Sequence, residues 1–292
     1  MYELYQAGER SWYIDCPAKI GIYQASDSEV YLIDSGSDKD AGRKVKKLLD
    51  EKGWTLKGII NTHSNADHIG GNQYLQKQYG CKIFAPGIEA TFTNFPVLEP
   101  SFLYGGYPPK ALRHKFLMAA ESQCVDISDP DFPAELTVIA LPGHFFQMIG
   151  ILAPDGTAFM ADCVSSAETL EKYKVSFVYD VAEYLNTLDY VEKLEAKLFV
   201  PAHTGVCESM AELAEINRRC VHEIAEKILE ICVEKLDFEE ILKRIFDAYG
   251  LKMNFQQYVL VGSSIRSYLA WLLDNGRVEA LFEDNRLLWR RV

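Results

Sequence analysis

The chain has 292 residues, 48% hydrophobic and 25% charged, the make-up of a soluble globular protein with one large core and a small appendage. Its formal charge of −12 argues against a general nucleic-acid or anionic-membrane binder, because either needs a cationic surface. Apolar runs are strand-sized and too short to cross a bilayer, and an N-terminus carrying Glu3, Glu9 and Asp15 does not read as a signal peptide. Seven cysteines without regular spacing fit a reduced, cytoplasmic setting better than a disulfide framework.

Residues 20–23 and 30–33 read as strands, the second running into the turn Asp34-Ser35-Gly36. Ser37 or Asp38 can cap a helix reaching about residue 51, with Val45, Leu48 and Leu49 on one face. A strand at 58–61, a short helix at 72–79 and a strand at 82–85 follow. Residues 87–125 differ: aromatics, four prolines and Gly105-Gly106 predict a long excursion of the kind that forms lids or substrate walls. Strands resume at 136–141, 149–153, 158–162 and 198–201, with a helix around 181–194 between the last two.

From about Glu208 the pattern changes. Leu213, Ile216, Cys220, Ile224, Ile228 and Ile231 step by three and four residues and mark a long amphipathic helix. Asp237-Phe238-Glu239-Glu240 resembles a capping box opening a second helix; a third runs from about 255 to 273, and 278–289 reads as a β-hairpin. Three helices and a hairpin resemble a winged-helix module, so the chain divides into a larger domain, 1–207, and a C-terminal domain, 208–292. The latter carries 12 Lys+Arg against 15 Asp+Glu, and Arg266 is the one clear cation on its third helix. A packing or homo-oligomerisation role therefore fits it better than nucleic-acid binding.

Four of the six histidines lie at strand ends or turns. The densest stretch is Ile59-Ile60-Asn61-Thr62-His63-Ser64-Asn65-Ala66-Asp67-His68-Ile69-Gly70-Gly71, an apolar strand running into two imidazoles and a carboxylate. His144 in Leu141-Pro142-Gly143-His144, Asp162 in Phe159-Met160-Ala161-Asp162 and His203 in Val200-Pro201-Ala202-His203 occupy comparable settings. Each alone has an ordinary structural reading. Together they offer neutral imidazole and carboxylate, the donors that zinc and iron(II) prefer, and Asp162 has two oxygens with which to bridge two ions.

At these residues the chain resembles the metallo-β-lactamase fold superfamily, over about residues 1–207. The pattern His-x-His-x-Asp-His, Gly-His, a strand-end Asp and a final His is met by His63, Asn65, Asp67, His68, His144, Asp162 and His203. The resemblance implies an α/β protein, an αββα sandwich with the site at one edge, and a small helical, winged-helix-like C-terminal module. It implies a hydrolase of the glyoxalase II sort. A metal-activated water would attack a small ester, thioester, lactone or phosphodiester, with Asp67 orienting the nucleophile or accepting its proton. Asn65 departs from the pattern, since it replaces a histidine. His63, His144 and Asp162 then form a weaker first metal position, and Asp67, His68, His203 and the shared Asp162 a full second one. The expected cofactor is one or two zinc ions, or iron. Iron would make a persulfide dioxygenase-like oxidoreductase, and a winged-helix-like tail also occurs on endoribonucleases.

His114 and His222 fall outside the pattern and read as surface or lid residues. Cys163 is expected in the core, and Cys207 is an unassigned neighbour of His203. Tyr104, Tyr107, Tyr173 and Tyr179 are possible hydrogen-bond donors to a developing oxyanion.

Overall fold

A computed structural model describes residues 2–292. Seven strands form one sheet in sequence order: β1 (Glu3–Gln6), β2 (Ser11–Asp15), β3 (Ile20–Gln24), β4 (Glu29–Ile33), β5 (Thr55–Ile60), β6 (Lys82–Ala85) and β7 (Cys124–Asp126). Four more, β8 (Thr137–Ala140), β9 (Ile149–Leu152), β10 (Thr157–Ala161) and β11 (Leu198–Pro201), form a second in the order β11-β10-β9-β8.

The sheets face each other because their strands alternate. Leu32, Ile59 and Ile83 point outward into a core shared with α1 (Lys39–Lys52) and α3 (Asn72–Tyr79). Their neighbours Ile33, Ile60 and Phe84 point inward onto Ile149, Ile151, Phe159 and Val200 of the other sheet. Beyond that sheet, Ala158, Met160 and Phe199 enter a third core with the helices that follow. The layers run helix, sheet, sheet, helix.

The excursion is ordered secondary structure. It forms α4 (Gly87–Asn94), α5 (Leu98–Tyr104) and a 3-10 turn at Lys110–Leu112, and returns to the sheet as β7, parallel to β6. The edge strands β1 and β7, the strand β2 beside β1, and the helix α6 (Ala167–Tyr173) were not expected from the sequence. The first three are short or solvent-facing, so each lacks the apolar run that marks a buried strand.

After α7 (Val181–Val191), the C-terminal part comprises α8 (Ala211–Ile231), α9 (Phe238–Ala248), α10 (Phe255–Asp274) and the antiparallel hairpin β12 (Val278–Glu283) and β13 (Arg286–Arg291). Asp38 caps α1 by accepting from Asp40 N and Ala41 N, and Asp237 caps α9 by accepting from Glu240 N. The apolar faces of α8, α9 and α10 share one core with β10 and α7. The C-terminal helices thus form the outer layer over the four-stranded sheet. No helix among the described residues is long and apolar enough to cross a membrane.

Candidate metal centre

The strands β4, β5, β8, β10 and β11 all end at one edge of the sandwich. β4 and β5 are parallel, as are β10 and β11, while β9 runs antiparallel between β8 and β10. Their C-terminal ends deliver Asp34, His63, His144, Asp162 and His203, and a single helical turn after β5, α2 (Ala66–Ile69), adds Asp67 and His68. Two backbone features aim these groups. Ala161 has φ +50°, costly for a residue with a Cβ, and lies where the β10–β11 register shifts, so the chain kinks immediately before Asp162. Gly143 has φ +114°, and a Cβ there would meet Tyr184 N at 2.2 Å, so only glycine makes the turn that presents His144.

Each of the four imidazoles has its Nδ1 engaged. His68 Nδ1 lies 2.8 Å from Asp34 Oδ2, His144 Nδ1 3.1 Å from Phe177 O and His203 Nδ1 2.8 Å from Pro17 O. All three partners are acceptors, so each Nδ1 carries its proton. Thr62 Oγ1 donates its proton to Asp34 Oδ2 at 2.7 Å, and so accepts from His63 Nδ1 at 3.0 Å. Every ring therefore turns Nε2 toward the common centre, as a metal-bound histidine does. His63 Nε2 is buried without a hydrogen-bond partner among the described residues, and the buried His68 Nε2 and Asp162 Oδ1 face each other at 3.1 Å with no other side-chain partner closer. Converging, unpartnered, buried donors of this kind are costly unless a cation joins them, so the set fits a metal.

The donors fall into two groups, within each of which the ligand atoms lie no more than 4.8 Å apart: His63, His144 and Asp162, and Asp67, His68 and His203. Asp162 stands between them. Its Oδ2 is 3.1 Å from His203 Nε2 and 3.7 Å from His144 Nε2, and its Oδ1 is 3.1 Å from His68 Nε2.

The electrostatics differ between the groups. Burial, reinforced by the neighbouring His68, drives His63 well below the ordinary histidine range, and burial likewise lowers His144. Burial would also lower His68 and His203, but the facing carboxylates outweigh it. Asp162, Asp67 and Asp34 raise His68 well above its ordinary value, and Asp162 with Asp67 raises His203 to about 10. The facing carboxylates thus favour positive charge in the second group, where a bound cation would compete with protons.

Asn65, where the pattern has a histidine, stands at the N-cap position of α2 with extended backbone and makes no side-chain capping bond. Its Nδ2 donates to Glu99 Oε1 at 2.9 Å. Glu99 is buried, and burial together with the charge of Asp67 raises its carboxyl well above the usual range. A second buried acid, Glu89, accepts from Ser64 N, Ser64 Oγ and Gln147 N, while burial pushes it up to about 7. The excursion is therefore a wall behind the histidine loop. Sequence reasoning missed Asp34, Thr62, Glu89 and Glu99. Asp34 carried a visible signal, a strand-end acid with a glycine two residues on.

Of the other candidates, Cys163 is fully buried in the core and Cys207 has its Sγ 3.8 Å from Met210 Sδ. Tyr107 accepts from Arg113, Tyr104 is exposed, and Tyr179 stacks on Phe146 at 4.0 Å. Among the four tyrosines, Tyr173 lines the cavity of about 380 Å³ that opens onto His144, Asp162 and His203. The walls of that cavity add Thr169, Ser176, Gln256, Gln257 and Leu260, and hold no lysine or arginine.

The family model described as the metallo-beta-lactamase superfamily matches residues 14–203. Hydroxyacylglutathione hydrolase of Brucella anthropi is 40% identical over 180 residues, 59% of this chain and 63% of its own length. The enzyme of that name from Nitrobacter hamburgensis is 53% identical over 42 residues, 14% of this chain and 16% of its own. In both cases the chain covers less than two thirds of the relative. Among solved structures, a beta-lactamase domain protein from Burkholderia ambifaria superimposes with TM-score 0.73 at 14% identity, covering 99% of this chain and 94% of that one. A metallo-beta-lactamase family protein from Thermus thermophilus gives TM-score 0.73 at 17% identity, covering 97% and 99%. With a match over most of its length and the fold in common, the chain belongs to the metallo-beta-lactamase superfamily.

Proposed function

We propose that the protein is a metal-dependent hydrolase of a small acyl ester or thioester. The observation that carries this is the convergence of four imidazole Nε2 atoms and two carboxylates, with His144, Asp162 and His203 lining an open cavity. His63, His144 and Asp162 would hold one ion, and Asp67, His68 and His203, with Asp162 shared, the other; zinc suits this donor set. A bound ion of this type lowers the pKa of water toward neutrality and polarises an acyl oxygen. Asp67 is 45% exposed with Oδ2 3.4 Å from His203 Nε2, which supports a role in orienting a nucleophile and taking its proton. Asp34 holds His63, through Thr62, and His68 in the tautomer that the centre needs.

The names of the Brucella and Nitrobacter relatives support a thioester. The cavity's amides and hydroxyls suit an uncharged acyl group, and Gln256 and Gln257 of α10, on its wall, support a substrate-wall role for residues 208–292. Lys172, at the neighbouring opening beside Tyr173 and His203, is the cation available to a charged leaving group.

The test is a set of ester, thioester and phosphodiester reporters offered to protein purified without added metal, with elemental analysis of the same sample. Acyl-reporter turnover abolished by chelation supports the reading; turnover unchanged by chelation removes it. A second reading has one supporting observation. With Asn65 turned to Glu99, the first group is two imidazoles and one carboxylate, a set that mononuclear iron(II) oxygenases use. Iron after anaerobic purification, with oxygen consumption on a thiol substrate, would select it.

A further inference from the structure

A second cavity, of about 730 Å³, opens on the outer side of the seven-stranded sheet, between the first turn of α1, the length of α3 and residues 113–120. Lys39, Arg43, Lys77, Arg113 and Lys115 line it, against one acid, Asp38. The whole chain has 30 Lys+Arg and 42 Asp+Glu, so this composition reverses the protein's own balance. Crowding like charges into one concavity is unfavourable unless something negative enters.

The charges within it are unequally engaged. Lys115 Nζ pairs with Asp38 Oδ2 at 2.8 Å, which neutralises the one acid, and Arg43 pairs with Asp40 at 2.7 Å. Arg113 donates to the neutral Tyr107 hydroxyl at 3.0 Å. Lys39 and Lys77 have no carboxylate partner among the described residues. Lys39 also stands in the first turn of α1, where the helix dipole disfavours a cation and favours an anion. Tyr74, Met118 and Ala119 supply apolar wall between these charges.

We propose that this cavity binds a small multivalent organic anion, phosphate- or carboxylate-bearing, with an apolar portion. The volume is that of a small-molecule site, and a concave wall mixing cations with aromatic and aliphatic surface suits such a ligand. The site is separate from the metal centre. It touches the back of α2 at Gly70, and Ala119 packs against Ala66 and Ile69 of that turn.

The experiment is isothermal titration of the full chain, with its native metal, against pyrophosphate, ADP and citrate. Lys39→Glu/Lys77→Glu is compared with Lys193→Glu/Lys252→Glu, a control of the same charge change at exposed positions outside the cavity. Saturable one-to-one binding of at least one probe is expected, weakened about tenfold or more in the first variant and less than about twofold in the control. ADP binding tighter than pyrophosphate and citrate supports the part of the apolar wall; pyrophosphate or citrate binding as tightly as ADP overturns that part, and the tighter of those two separates phosphate from carboxylate recognition. Lys39 and Lys77 are exposed, so the fold should survive, and Arg113→Ala on the facing wall gives an independent arm. The proposal is overturned by no saturable binding of any probe, by undiminished binding in the first variant, or by equal loss in the control.

Discussion

The two halves of the metal centre use the same kinds of side chain to opposite electrostatic effect. Burial lowers the pKa of His63 and His144, around one edge of Asp162, and the residue that would complete them, Asn65, is bound to Glu99. His68 and His203 face Asp67 as well as Asp162, and His68 also leans on Asp34. On the proposed assignment, one extra facing carboxylate and one missing imidazole rank the second half as the stronger cation site. Charge count, rather than ligand count alone, ranks the two positions.

Removing the shared carboxylate should erase the difference. Asp162→Ala is expected to lower reporter turnover about a thousandfold, several kcal/mol of transition-state stabilisation, and to reduce bound metal well below one per chain by elemental analysis. Asp34→Asn tests the orienting layer. It should weaken metal binding about 10- to 100-fold, read by competition with a chelating dye, because His68 and, through Thr62, His63 lose their tautomer control. Asn65→His sharpens the comparison in the other direction. Glu99 already lies where it can accept from a ring nitrogen, so the metal count should rise from about one toward two per chain. A count unchanged in that variant would show that the first half is limited by something other than its missing imidazole.

The smallest effect lies far from the centre and serves as the contrast. Burial would raise the Asp155 carboxyl, but bonds from Arg10 N, Thr157 N and Ser11 Oγ outweigh it and hold it below the usual range. A depressed folded-state pKa contributes stability above the unfolded value, and that contribution is lost as pH falls through the folded one. Asp155→Ala should therefore cost about 1–2 kcal/mol at pH 7 by thermal melting, shrinking below about pH 4, while metal content stays unchanged.

Much of this was legible in the chain. Short continuous apolar runs such as 58–61 and 82–85 reported their strands because each buries both faces between layers, and the three-four stepping of 213–231 reported α8. The short outer strands β1, β2 and β7 were invisible for the converse reason: pairing with a neighbour, not burial, makes them strands.

At the centre, the order of histidines and acids along the chain named the six candidate donors and flagged Asn65, because ligand chemistry is a property of residue type. What those residues do to one another was decided by tertiary structure alone. That Asp34 orders two imidazoles, that Asn65 turns to Glu99, and that five cations share a wall with one acid all depend on pairs far apart in the sequence. Hydrogen bonds and Coulomb forces act over a few ångströms, and only the closed sandwich brings these residues that near.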